Sequence, residues 1–338
     1  MRKAEFRRYL VRRSFTGAVL DDSVLAVEDL ERQLKSDNRN LNSATEDDLR
    51  KYLTRLISED RNKPDRLLAL ARYFWLIKRD KLYTYLVSVV GWTDVYDSIG
   101  ERLAQIAGEE KRREVFDGFA TPPLGSDPSA YPSCTGDLLK RLDANLPYEK
   151  VIETLTGNHH KISAESFDDM KKRWESSKNL EEFLGGEHKL LIAELEEAMR
   201  SGRLWYEQEI TPEVLEFVRE DQTIQNGVLQ GNMVIKSKIP FAPVKWLREK
   251  DLKMRRYYSC HCTLAREAIL TNTSESLALF CHCSAGYEKL PLEVALGVPL
   301  EVEVLENVLD GGDRCRFAIK IPEQFLQNKT ITRKRSLR

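Results

Sequence analysis

The sequence predicts an α+β protein: an N-terminal helical bundle, then an α+β domain with an antiparallel sheet and a C-terminal β-hairpin. Three observations carry this expectation. Apolar residues recur at helical spacing through the first third of the 338-residue chain. A Pro-, Gly- and Ser-rich stretch at 118–136, "GFATPPLGSDPSAYPSCTG", then breaks the helical pattern. From Leu204 onward alternating segments appear, and the last closes on the turn "DGGD". The expected organisation is a helical domain over 1–117, a linker over 118–136, a cysteine-rich α+β domain over 137–323 and a basic tail over 324–338.

In the helical part, Leu25, Leu30 and Leu34 mark one helix. Thr45 is a good N-cap for "EDDLRKYLTRLI", with Asp48 three residues on, and Leu49, Leu53 and Leu56 form its apolar face. "PDRLLALARYFWLIKRDKLYTYLVSVVG" opens with Pro64 at a first helical position and ends at Gly91. After the linker come four further helical segments, the last ending at Gly202. "NHHKIS", from Asn158, is expected as a solvated turn between two of them. "LWYEQEI" and "GVLQGNMVIKSKI" alternate as strands around a helix capped by Thr211 with Pro212 first.

Charged residues at 32% and hydrophobic ones at 41% suit a water-soluble globular chain. The net charge of −1 gives no support to general nucleic-acid binding. No apolar run nears the roughly 18 residues a membrane span needs. The basic start "MRKAEFRRYLVRR" lacks the apolar core of a secretory signal, although it also fits a mitochondrial-type presequence. The expected location is the cytoplasm, where cysteines stay reduced unless they bind metal or do redox work. Five of the six cysteines fall between Cys260 and Cys315.

The closing hairpin can be read in register. With Asp310 to Asp313 as its loop, Leu309 pairs Arg314, Val304 faces Ile319, Val302 faces Ile321, and Glu303 meets Lys320. Val308 then faces Cys315, and Glu306 faces Phe317 on the apolar side. A carboxylate there is a metal ligand or a general acid/base, unless the strand end twists out to water.

Cys-His-Cys occurs twice, at Cys260–Cys262 and Cys281–Cys283. On strands, the two cysteines of each triplet share a face and the histidine takes the other. Two such pairs offer four thiolates to zinc. Alternatively they are small buried side chains packed on a sheet, or a strained redox pair. Arg266 and Glu267 suit carboxylate binding and base catalysis, or form a surface pair on a short helix. Trp205, Tyr206, Trp246, Tyr257, Tyr258 and Tyr287 line a pocket or fill the core.

"SVLAVEDLERQL", "SATEDDLRKYLTRLI" and "DRLLALARYFWLI" resemble the SAM-like helical domain of phage integrases over about residues 15–90. No recombinase Arg, His and Tyr series follows, so the resemblance implies a fold, and DNA as a partner through Arg2, Lys3, Arg7, Arg8, Arg12, Arg13 and the tail "KTITRKRSLR". "YYSCHCTLAREAI", "FCHCSAGYEKLPLEVALG", "VEVLENVL" and "GGDRCRFAIKIP" resemble a bacterial and archaeal Cys-x-Cys family, over about residues 135–322. More broadly they are similar to the L-2-amino-thiazoline-4-carboxylic acid hydrolase group and to 4-vinyl-reductase-type small-molecule-binding domains. The resemblance implies a ligand-binding fold with a structural zinc held near the closing strands by cysteines and a glutamate. Cys315 matches the final-strand cysteine, Cys281 and Cys283 match more loosely, and Glu306 has no secure counterpart.

Three functions follow as expectations. The first is a small-molecule-binding protein with a zinc or thiolate site drawn from Cys260, Cys262, Cys281, Cys283, Cys315 and Glu306, its ligand held by Arg266, Tyr258 and Tyr287. The second is a C–N hydrolase with Cys283 or a metal-activated water as nucleophile and His282, Glu306 or Glu267 as base. The third is a DNA-associated protein.

Overall fold

The computed structural model describes residues 1–327 and is α+β, with helices making up 62% of the chain and one small antiparallel sheet near the C-terminus. The chain divides into two compact units. One comprises Met1–Val95 and Gly118–Cys134, the other Tyr96–Asp117 and the chain from Thr135. In this division Gly118–Cys134, most of the stretch 118–136 expected as a linker, groups with the helical unit, and residues 96–117 group with the second unit.

The first unit contains α1 (Lys3–Val11), α2 (Gly17–Ser36), α3 (Glu46–Ser58), α4 (Pro64–Leu76) and α5 (Asp80–Val90). The α3 cap is as expected: Thr45 N–H donates to the Asp48 carboxylate at 2.7 Å, and Asp48 N–H returns to Thr45 Oγ1 at 3.4 Å. Leu49, Leu53 and Leu56 are buried with Leu30, Leu34, Tyr73 and Phe74 in one core. Leu25 was expected on that face but is 54% exposed; Leu20, Val24 and Val27 carry the stripe instead. Lys78, at φ +57°, separates α4 from α5, so the long helical run before Gly91 is two helices. A Cβ on Gly125 would lie 3.4 Å from Leu53 Cβ, so the Pro-rich segment packs against the bundle. Buried Asp29 accepts from Tyr52 Oη at 3.0 Å and from Arg55 at 2.9 Å, and is also bonded by Arg66.

The second unit takes α6 (Val95–Ala107) from Tyr96 on, α7 (Glu109–Phe116) and α8 (Tyr131–Asn145) from Thr135 on, and continues with α9 (Tyr148–Leu155), α10 (Asp168–Ser176), α11 (Leu180–Ser201) and α12 (Pro212–Glu220). Gly202 ends α11 at φ +60°, and Thr211 Oγ1 caps α12 by accepting from Val214 N–H at 3.4 Å. "LWYEQEI" is a tight turn closed by Trp205 and Gln208, not a strand. The turn at "NHHKIS" is solvated as expected at Asn158, His160 and Lys161, but His159 is buried, 1% exposed. Its Nε2–H reaches the Thr154 and Leu155 carbonyls at 3.0 Å, and Nδ1 meets Ser98 Oγ at 3.1 Å.

The sheet is built from β1 (Val228–Gln230), β2 (Met233–Ser237), β3 (Glu301–Glu306) and β4 (Arg316–Lys320), in the antiparallel order β1-β2-β4-β3. Between β2 and β3 lie α13 (Pro243–Arg248), α14 (Leu252–Ser259), α15 (Glu267–Leu270) and α16 (Cys281–Leu296). Val234 and Ile319 pack with Leu292, Ala295 and Leu296 of α16 and with Phe183 and Leu184 of α11. The hairpin register differs from the expected one by two residues: Val302 pairs Ile319, Val304 pairs Phe317, and Lys320 pairs Glu301. Asn307 causes the slip. Its Oδ1 accepts from Leu309 and Asp310 N–H at 3.1 and 2.9 Å and starts a 3-10 turn, so the loop is longer than "DGGD". A slip of two preserves side-chain faces as far as Val304, but an irregularity between Val304 and Glu306 then sets Glu306 opposite Arg316, not opposite Phe317 as expected. The tail from 328, which holds the basic "KTITRKRSLR", lies outside the described residues.

Candidate functional site

Strand alternation places Val234, Lys236 and Lys238 on one side of β2 and its extension. That side is the core side, since Val234 is fully buried. Two lysines are therefore driven inward, and α16 supplies their partner. Lys236 Nζ is 2.8 Å from Glu288 Oε2 and 3.2 Å from the Glu288 carbonyl; Lys238 Nζ is 3.5 Å from Glu288 Oε1. Lys238 also donates to Ser284 Oγ at 2.8 Å and stands 5.2 Å over the Tyr287 ring. Burial opposes both charges, but the partners prevail: the Glu288 carboxyl is held below its ordinary value, and Glu288 holds the Lys238 ammonium above its own.

Five thiols belong to this unit, and four of them, Cys262, Cys281, Cys283 and Cys315, are within electrostatic reach of Lys238. Neither Cys-His-Cys triplet is a strand: Cys260–Cys262 follows the end of α14, and Cys281–Cys283 is the first turn of α16. Ser284, expected to cap a helix, is already inside one, and the helix runs on through Pro291. Cys315 precedes β4, and its carbonyl accepts from Lys238 N–H at 3.0 Å. Electrostatic reach links Cys260 to Cys262 and Cys315, Cys262 to Cys283, and Cys281 to Cys260, Cys262 and Cys315. All five are free thiols. Burial raises every one, Cys262 and Cys283 to about 12, so they stay protonated at neutral pH. His261 Nε2 donates to the Ile239 carbonyl at 2.7 Å, and burial lowers its pKa to about 3.

The other expected site residues lie apart from this cluster or play other roles. Glu306 accepts from Asp313 and Arg314 N–H at 2.8 and 3.2 Å and so staples the hairpin loop. Gly312 permits that approach, because a Cβ there would lie 2.5 Å from Glu306 Cγ. Arg266 lies over Phe241 and Tyr257, with centroid distances of 4.8 and 5.1 Å, and is 3.8 Å from Glu267. Glu267 accepts from Tyr257 Oη at 2.8 Å. Tyr258 sits under Lys245, 5.3 Å from ring centroid to Nζ. His282 Nδ1 has no hydrogen-bond partner, and burial lowers its pKa. Tyr287 alone of the expected ligand-binding residues touches Lys238.

Lys236, Lys238, Ser284 as a Lys238 partner, and Glu288 were missed in the sequence. The signal was present in "NMVIKSKI": the residues two and four after buried Val234 are both lysines, and Glu288 sits seven residues after Cys281 on one helical face. Among the described residues no group of three or more His, Cys, Asp or Glu side chains is arranged to hold a metal ion. A separate groove of about 380 Å³, lined by Asn179, Leu180, Glu181, Leu229, Leu326 and Gln327, holds none of these residues. Nor is any described helix long and apolar enough to cross a membrane. No protein-family model matches the chain, and no curated protein or solved structure is detectably similar to it.

Proposed function

We propose that the second unit is a small-molecule-binding module of the cytoplasm and that its ligand meets the thiol-lined centre at Lys238. One observation supports this above the rest: two buried ammonium groups, Lys236 and Lys238, share the one carboxylate of Glu288. Packing of that kind is less stabilising than apolar side chains of the same volume. Most of the centre is sealed, but the Lys238 side chain keeps 12% of its exposure, and Cys262, Ser284 and Tyr287 also reach solvent.

The alternatives have less behind them. Zinc would have to strip protons from buried thiols that do not converge as a ligand set. A hydrolase based on Cys283 would need an activated thiolate, whereas burial keeps the Cys283 thiol protonated and disfavours a charged His282. For DNA, three of the basic N-terminal residues are already engaged: Arg2 with Glu5 at 3.6 Å, Lys3 with Glu28 at 2.7 Å and Arg7 with Asp21 at 2.8 Å.

The test is native mass spectrometry of the full chain purified without added metal, with a thermal-shift screen of small molecules. A co-purifying organic mass released on unfolding, or a saturable stabilisation, is expected. Neither an adduct nor a shift would overturn the reading. About one tightly held zinc per chain would instead reassign the thiols as ligands.

A further inference from the structure

We propose that the arginine cluster around Asp29, in the first unit, binds a phosphomonoester dianion, the terminal phosphate of a small phosphorylated molecule. The inference is independent of the Lys238 centre.

The cluster converges on one point. Asp29 of α2 is buried, and three guanidiniums meet its Oδ2: Arg55 of α3 at 2.9 Å, Arg61 of the α3–α4 turn at 3.3 Å, and Arg66 of α4. Arg32, one turn along α2, meets Oδ1 at 3.1 Å. Tyr52 Oη donates to Oδ2 at 3.0 Å and accepts from Arg66 Nε at 3.1 Å, which orients Arg66. One guanidinium can satisfy a carboxylate through two parallel hydrogen bonds. Four of them, drawn from three helices and a turn, bring more positive charge than holding Asp29 requires.

The surplus can be counted. Besides Asp29, the four arginines have one ion-pair partner among the described residues, Glu59, which is 2.6 Å from Arg61 and 3.8 Å from Arg55. Neighbouring Asp60 pairs with Lys63 at 3.4 Å, and Glu28 and Glu31 pair with Lys3 and the N-terminal ammonium group. Asp65, beside Arg66 in sequence, is exposed and forms no ion pair with the four. Burial would raise the Asp29 carboxyl, but Tyr52 and the arginines hold it below its ordinary value, so it stays charged at neutral pH. Four positive charges thus meet two negative ones, and Arg55 Nε is buried without a hydrogen-bond partner. The surplus faces water: the side chains of Arg61 and Arg32 are 43% and 73% exposed, against 7% for Asp29. The planar fork of a guanidinium matches phosphate oxygens. One dianion balances two charges gathered at a point, whereas a nucleic-acid backbone spreads single charges along a line and needs a row of cations.

The full-length chain should be titrated by calorimetry with phenyl phosphate at pH 7.5 in low salt. Saturable binding with a Kd below about 1 mM is expected. Arg32→Gln and Arg61→Gln, both at exposed positions, should each weaken it by about tenfold, the loss of one charge-assisted hydrogen bond. Lys238→Met should leave it unchanged. At pH 5 the affinity should fall roughly tenfold, because a phosphate monoester, with a second pKa of about 6, is then mostly a monoanion. The first unit contains no histidine to titrate in that range. Inorganic sulfate, a dianion at both pH values, should therefore compete equally well at both. A Kd above about 1 mM would overturn the proposal. So would unaltered affinity in both arginine variants, equal affinity at the two pH values, or a parallel loss of sulfate binding at pH 5. Loss of binding in a folded Lys238→Met variant would move the ligand to Lys238; if that variant does not fold, the arginine variants decide. Displacement of phenyl phosphate by a short DNA duplex with hydroxyl ends, which carries phosphodiesters alone, would reassign the cluster to nucleic acid.

Discussion

Glu288 is the residue on which the centre's electrostatics turn, because both buried lysines lean on one carboxylate. Glu288→Gln keeps the shape and removes the charge, leaving two ammonium groups without a counter-ion. Breaking a buried pair from one side typically costs about 3–5 kcal/mol. Urea unfolding should show a loss of that order; a loss below about 1 kcal/mol would mean that the lysines reach water unaided. The thiols make a second residue-scale prediction. Reactivity follows the thiolate, and burial keeps these thiols protonated. Brief iodoacetamide labelling at pH 7.5, read by mass spectrometry, should modify Cys262 first because it alone of the five is partly exposed. The unfolded chain should label all six cysteines. Fast stoichiometric labelling of Cys283 in the folded chain would restore the hydrolase reading.

At the scale of elements, α16 matters most, since it carries Cys281, Cys283, Ser284, Tyr287 and Glu288. Gly286 sets its distance from the end of α9: a Cβ there would lie 2.4 Å from the Gly157 carbonyl oxygen and 2.5 Å from its nitrogen. Backbone cannot yield as a side-chain tip does. Gly286→Ala should therefore lower stability by about 1–3 kcal/mol despite the better helix propensity of alanine, and should loosen ligand contacts at Lys238. A variant as stable as the parent in thermal unfolding would show that the two segments can separate freely. This helix was also the hardest element to read. Cys-His-Cys alternates like a strand, burial on several sides blurs its helical stripe, and Pro291 sits inside it. By contrast α3 and α12 were legible, because Thr45 and Thr211 cap them through local hydrogen bonds. In the hairpin, face parity was legible but register was not, because Asn307 starts the turn earlier than the glycines suggest.

Across the whole molecule, the α+β class was legible because helical and alternating periodicities occupy different stretches of the chain. The centre was only partly legible. Clustering pointed to the cysteines, but lysines on a strand read as a solvent face until neighbouring Val234 is known to be buried. Histidines hid in the same way, and they give the molecule a pH dependence. Burial lowers His159 from 6.5 to about 4 and His261 from 6.5 to about 3. Each is kept neutral by burial, which outweighs the opposite pull of the backbone carbonyls that its Nε2–H meets. Below pH 6.5 the unfolded chain takes up protons that the folded chain refuses until about pH 4 and about pH 3. The unfolded state therefore binds more protons in that window, and stability falls as pH drops through it. Glu288 and Asp29, both held below their ordinary values, push the same way at the acid end, since protonating them breaks their lysine and arginine pairs. The unfolding temperature should be nearly level in its histidine contribution above pH 7 and should fall steadily from pH 6.5 towards pH 4. His261→Asn should remove part of that slope, because asparagine can still donate to the Ile239 carbonyl but cannot titrate. A flat profile from pH 7 to pH 4.5, or an unaltered slope in the variant, would mean that these imidazoles reach protons without unfolding.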